Sequence, residues 1–143
     1  MMKKIICGLS TILLMGCINT VKTDVLSDKE DAEKIAEQLY SNLEKNEYQD
    51  AHKLFSSKFF DVTPPDSLNN IFQQIRTLGD YKHRTLADWS TFSVTGSRSK
   101  TEYMLNYVVE YTLYPAQEII RMEKEEDEIF IISYEVYSDG FEQ

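Results

Sequence analysis

Apolar side chains recur along this chain with two different periods, and the period changes at one glycine. Ala32, Ile35, Ala36, Leu39 and Leu43 recur at helical spacing. Ser27, with Glu30 three residues on, forms a capping-box pattern before them. The spacing predicts a first helix over about 28–44. After a break near Asn46, Tyr48, Ala51, Phe55 and Phe59 mark a second helix. Thr63-Pro64-Pro65-Asp66 ends it and opens a third, because proline suits a first helical turn but not a helix interior. Leu68, Ile71, Phe72, Ile75 and Leu78 give that helix its apolar face, and Gly79 is placed to stop it in a left-handed cap.

Beyond Gly79 the alternation is that of strands. A first strand is predicted over 81–89, with a polar turn around 96–100. Tyr103, Leu105, Tyr107, Val109, Tyr111 and Leu113 then alternate with mostly polar residues. Residues 116–124 make a third strand, and the run Glu123 to Glu128 reads as a solvated hairpin turn. The last strand presents Phe130, Ile132, Tyr134 and Val136 on its core face. Helices followed by antiparallel strands predict an α+β domain, with N-terminal helices packed on one side of a curved antiparallel sheet of about four strands. A sheet covered on one side should be polar on the other. Val108, Ile129 and Ile131 break that rule and are candidates for a face on which two copies pair as a homodimer.

The N-terminal segment has a different logic. Lys3 and Lys4 precede a mostly apolar run from Ile5 to Met15, which is shorter than the about 20 residues of a bilayer-spanning helix. That layout fits a secretory signal peptide. Leu14-Met15-Gly16-Cys17 resembles a bacterial lipobox. The resemblance implies cleavage between Gly16 and Cys17, and a diacylglycerol thioether on the Cys17 thiol, with further acylation by palmitate or a similar fatty acid. The chain divides accordingly into a signal at 1–16, a lipidated Cys17 with a polar tether to residue 27, and a single domain over 28–143. The expected location is the cell envelope, lipid-anchored outside the cytoplasm. Ile18 after the cysteine resembles an outer-membrane signal, where the host has such a membrane.

Processing also changes the composition. Cys7 leaves with the signal and Cys17 takes the lipid, so none of the chain's two thiols remains for a disulfide, a zinc site or a nucleophile. The signal removes two of the fifteen basic residues, leaving thirteen against twenty-four acidic ones and a net charge near −11. Such a surface repels phosphate backbones and anionic head groups, which argues against nucleic acid as a partner. The acidic run 123–128 lacks the ligand spacing and glycine of a calcium loop. No metal or cofactor motif is present. His52 reads as a half-exposed helix residue, and His83, between Lys82 and Arg84, as an exposed strand residue.

A wider pattern is carried by Tyr48 and Ala51, by Leu78-Gly79 with Arg84, by Tyr107-Val108-Val109-Glu110-Tyr111, by Glu118, and by the closing 129–136 segment. It resembles the nuclear-transport-factor-2-like, or cystatin-like, cone fold, and within it a family of small exported bacterial proteins of unknown function. The resemblance implies a cone-like domain, some relatives of which are enzymes of the ketosteroid-isomerase type. These place a carboxylate base and a phenol or acid donor inside the cone. The candidates for that role are Asp88, Tyr103, Tyr107 and His83, although the strand period sets Asp88 opposite His83 and Trp89. Nine tyrosines, most of them in the sheet half, suit a pocket or an interface as well as a core. Tyr103, Tyr107, Tyr111 and Tyr134 are the candidate pocket residues. Three functions follow. The first is a non-catalytic binding or accessory domain in the envelope, taking a small apolar ligand or another envelope protein. The second is a small-molecule enzyme using the cone cavity, and the third a structural subunit of an envelope complex.

Overall fold

The computed structural model describes residues 19–142; the signal segment, Gly16 and Cys17 lie outside the described residues. The elements run β1 (Thr20–Thr23), α1 (Leu26–Glu44), α2 (Tyr48–His52), α3 (Ser57–Phe60), α4 (Pro65–Arg76), β2 (Tyr81–Thr95), β3 (Lys100–Tyr111), β4 (Ala116–Glu125) and β5 (Glu128–Tyr137). A short 3-10 turn follows at Asp139–Glu142. The strands form one antiparallel sheet in sequence order, β1-β2-β3-β4-β5. Helices pack on one of its faces, and the fold is α+β with five strands rather than four. No helix among the described residues is long and apolar enough to cross a membrane.

Local chemistry explains the element boundaries. Asn46 turns the chain between α1 and α2 at φ +57°, a conformation asparagine tolerates. Pro65 sits in the first turn of α4, and Gly79 closes the corner at φ +102°. A Cβ at Gly79 would meet Thr112 Oγ1 at 2.1 Å, so the glycine is required by space as well as by backbone. Ser27 and Glu30 lie inside α1 rather than forming a capping box. The helix starts at Leu26 behind Val25, whose N–H donates to Thr91 Oγ1 at 2.8 Å. A strand thus caps this helix, in place of its own side chains.

The expected second helix is two short ones. Between them Ser56 N–H donates to the Ile131 carbonyl at 2.9 Å, and Ile131 N–H to the Leu54 carbonyl at 2.8 Å. Phe55 thereby bridges to β5 in parallel fashion. Backbone pairing with the sheet edge has displaced one turn of helix. Ser56 then caps α3, its Oγ accepting from Lys58 N–H at 3.1 Å.

The inner face of the sheet is read from the register. Tyr103, Leu105, Tyr107, Val109 and Tyr111 of β3, and Ala116, Ile120 and Met122 of β4, are buried under the helices. The phase of β5 departs from expectation. Arg121 pairs with Ser133 but Met122 with Ile131, which leaves Ile132 as the extra residue of a β-bulge. Tyr134 keeps its inward position, but upstream of the bulge the alternation reverses, so that Ile131 is inward and 0% exposed. Ile129 also packs against the core. Both are corrected from the outer to the inner face, and Phe130, paired across from Glu123, takes the outer one. Val108, 44% exposed, stays outside with Phe92 and Tyr137.

Candidate functional site

In β4, Ala116, Glu118, Ile120 and Met122 share the inward face, and all four are buried. The strand period carries one carboxylate into an otherwise apolar row. Glu118 is 0% exposed. Its Oε2 accepts hydrogen bonds from Tyr40 Oη at 2.8 Å and Tyr134 Oη at 2.7 Å, and its Oε1 from Tyr111 Oη at 2.5 Å. The three phenols come from α1, β5 and β3, so one side chain ties four elements together. An ionised carboxylate is an acceptor only, and it satisfies three O–H donors with no donor facing another.

The charge balance at Glu118 is a competition. Burial pushes its carboxyl pKa up, while the three phenol donors and the nearby Arg84 pull it down, and the net shift is upward. The phenols of Tyr40 and Tyr134 are held well above their ordinary value, first by burial and then by the adjacent carboxylate. Tyr111 is raised by the same causes. All three therefore remain protonated and keep donating. Tyr103, away from this cluster, is pushed to about 12 by burial.

Arg84 makes a second layer. Its guanidinium lies 4.5 Å from the Tyr40 ring centre and 5.4 Å from that of Tyr107. It donates to Tyr81 Oη at 3.0 Å and to the Glu37 carboxylate. Burial works against the guanidinium charge, but these two partners raise its pKa overall. The arrangement combines cation–π contact with ion pairing across α1 and β2.

Beside the cluster is a cleft of about 350 Å³. It is bounded by the C-terminal ends of α1 and α4, the Gly79 corner, the start of β2 and the end of β3. Leu43, Phe72 and Ile75 give it apolar wall, and Tyr40, Tyr48, Tyr81 and Tyr111 give it aromatic wall. Glu44, Arg76 and Asp80 also line it. Tyr40 and Tyr111 thus belong both to the cleft and to the Glu118 cluster. Tyr48 differs: its Oη is buried and has no hydrogen-bond partner among the described residues.

Of the four candidate pocket tyrosines, Tyr111 lines the cleft, and Tyr134 reaches Glu118 from β5 without lining it. Tyr103 and Tyr107 are buried on the same sheet face without lining the cleft. The other enzyme-type candidates lie elsewhere. A second irregularity, between Leu86 and Asp88, turns Asp88 outward to the same side as His83, and Asp88 accepts from the Trp89 N–H at 2.9 Å. His83 stands 3.6 Å from Glu110 on that outer face. His52 bonds Asn69 Oδ1 at 2.8 Å, as a helix surface residue does. No group of three metal-ligating side chains occurs among the described residues. The inward carboxylate that these candidates were meant to supply is Glu118. Its signal in the sequence was a lone acid in phase with Ala116, Ile120 and Met122. No protein-family model, curated protein or solved structure matches the chain.

Proposed function

We propose that this chain is an exported lipoprotein whose anchored domain binds a small ligand with both aromatic-compatible and polar groups in the cleft without transforming it. The observation that carries the binding reading is the 350 Å³ cleft itself, walled by Tyr40, Tyr48, Tyr81 and Tyr111. The volume is that of a small-molecule site. The non-catalytic reading rests on Glu118. It is enclosed, and its two oxygens already accept three hydrogen bonds, so the cluster serves as a fixed floor for the cleft.

The address rests on the signal layout and the Leu14-Met15-Gly16-Cys17 tetrapeptide. The succession of helices and curled sheet supports kinship with the nuclear-transport-factor-2-like fold. Cys17→Ser removes the only acceptor thiol at the cleavage site, so incorporation of labelled fatty acid should fall to background; undiminished labelling would reject the anchor. The binding reading is tested by a small-molecule fragment screen followed by NMR. Perturbed resonances should cluster at Tyr48, Tyr81 and Tyr111, and Leu43→Trp, which fills the cleft, should abolish them in a folded protein. Fragments that bind only elsewhere, or that bind Leu43→Trp equally well, reject the cleft.

A second reading is favoured by the raised carboxyl pKa of Glu118 and by the position of its partner Tyr111 at the cleft wall. Together they have the composition of an acid–base pair of the ketosteroid-isomerase type. That reading requires a cleft ligand to be chemically altered on incubation, and the alteration to stop in Tyr111→Phe while binding persists.

A further inference from the structure

The segment expected to be a short polar tether is largely part of the sheet. Thr20 pairs with Thr95, Val21 with Val94, Lys22 with Ser93 and Thr23 with Phe92. The zipper continues as Asp24 N–H donates to the Thr91 carbonyl at 2.9 Å and Val25 N–H to Thr91 Oγ1 at 2.8 Å, directly into α1. Only Ile18 and Asn19 separate Cys17 from Thr20. Fully extended, that stretch reaches about 11 Å. Asn19 itself lies against the β2–β3 turn, where a Cβ on Gly96 would strike its side chain.

Strand geometry then fixes what lies near the anchor and what lies far from it. The fifteen-residue β2 carries the residues that pair with β1, Phe92 to Thr95, at one end and Tyr81 of the cleft at the other, at most roughly 45 Å apart along the strand. Helix α1 runs the same way, from Leu26 beside Thr91 to Leu43 and Glu44 at the cleft. Charge is also divided. Lys22, Arg98 and Lys100 lie at the end where the anchor enters, Lys22 and Lys100 on opposite faces by the register, with Glu102 paired to Lys100 at 2.7 Å. The acidic β4–β5 turn stands at the same end, toward the opposite edge of the sheet, with Glu123 paired across from Glu102.

We propose that β1 and the β2–β3 hairpin form the membrane-facing surface of the protein, seated on lipid headgroups, and that the short zipped tether holds the cleft at the opposite, membrane-distal end. This rests on the lipoprotein reading above. It deepens the binding proposal: the cleft takes a ligand from the aqueous phase, and does not extract an acyl chain from the bilayer beneath it. Lys22 and Arg98 lie alongside the uncharged threonines of β1 on that surface.

The processed protein has no free thiol of its own if Cys17 is lipidated, so single introduced cysteines report position cleanly. Full-length Ser97→Cys places a fluorophore in the β2–β3 turn, and full-length Leu113→Cys places one in the exposed β3–β4 turn beside the Gly79 corner. The purified lipidated proteins are reconstituted in vesicles containing headgroup-nitroxide phospholipid. The Ser97→Cys label should lose most of its emission and the Leu113→Cys label almost none. Inserting roughly ten Gly/Ser residues after Asn19, a flexible spacer, should abolish that contrast. Equal quenching at both sites, or a contrast that survives the insertion, overturns the proposal. A protein that takes up no labelled fatty acid overturns the anchor reading as well, and that result is distinguishable from equal quenching of a lipidated protein.

Discussion

Tyr134→Phe removes a single O–H from the Glu118 cluster and keeps the ring, so it opens no cavity in the core. The lost bond is a 2.7 Å contact to a fully buried carboxylate. A hydrogen bond to a charged group contributes about 1.5–3 kcal/mol, against roughly half that for a neutral pair. Tyr40 and Tyr111 still donate, so Glu118 is not stripped of partners, and a loss of about 2 kcal/mol is expected. For a domain of this size that lowers the melting midpoint by about 6–10 °C and the urea midpoint by on the order of 1 M. The control is Tyr137→Phe. Tyr137 Oη makes an equally short 2.6 Å bond to Glu135, but Tyr137 is exposed and Glu135 half-exposed, so water replaces the lost partner. Its midpoint should not move. Coincident midpoints for Tyr134→Phe and Tyr137→Phe would refute the claim that burial gives the cluster its strength.

The same variant has a signed pH signature. The folded-state pKa of Glu118 is raised above its unfolded value, so the folded protein holds that proton more tightly and ionising it costs stability as pH rises. Removing a donor disfavours the ionised form further and raises the folded pKa again. The gap between wild type and Tyr134→Phe is therefore full above the variant's folded pKa. It narrows as pH falls from that value to the wild-type folded pKa, leaving only the smaller worth of a neutral hydrogen bond. Urea titrations at several pH values measure it. A gap that widens on acidification has the wrong sign.

Gly79→Val should destabilise by at least about 2 kcal/mol, since φ +102° strains any side chain and its Cβ would fall 2.1 Å from Thr112 Oγ1; an unchanged unfolding midpoint would contradict it. Ile131→Asp puts a carboxylate at a fully buried position and should leave the domain unfolded by circular dichroism, whereas Val108→Asp on the outer face should fold normally, within about 0.5 kcal/mol of wild type. Val108→Asp consequently tests the pairing of two copies through that face: sedimentation should show a wild-type dimer become a folded monomer, and a wild-type monomer at high concentration ends that idea. Thr91→Val removes the acceptor that caps α1 and should cost about 1 kcal/mol. Amide exchange should then accelerate first at Val25 and the residues after it.

Periodicity made most of this fold legible before any coordinates. Helices α1 and α4, the Gly79 corner and the alternation of β3 follow from side chains that choose between inside and outside. Where the residues make no such choice, the sequence is silent. In β1, Thr20, Val21, Lys22 and Thr23 are all exposed, and the strand exists only because its backbone groups match the far end of β2. The split between α2 and α3 has the same origin, a backbone contact from 54–56 to Ile131 that no local pattern encodes. The phase of β5 was misread because Ile129, Phe130, Ile131 and Ile132 are all apolar, so either alternation satisfies the core, and a bulge at Ile132 selects between them.

The site divides along the same line. Glu118 carries a signal that the sequence reading passed over in favour of Asp88: a carboxylate in phase with the apolar Ala116, Ile120 and Met122. Its partners carry none, since Tyr40 fills a helix-core position in which Leu or Phe would be read identically. An apolar residue in place of Glu118 would avoid the desolvation of a carboxylate, so stability alone does not account for the cluster. Apolar contacts tolerate sliding; three hydrogen bonds converging on two oxygens do not. Tyr40 fixes the rotation of α1 on the sheet, and Tyr111 and Tyr134 fix the strands on either side of β4. Arg84 repeats the tie to α1 through Glu37. The cleft is built from the ends of these same elements, so a cluster that admits one arrangement of α1, β3, β4 and β5 also admits one shape of cleft.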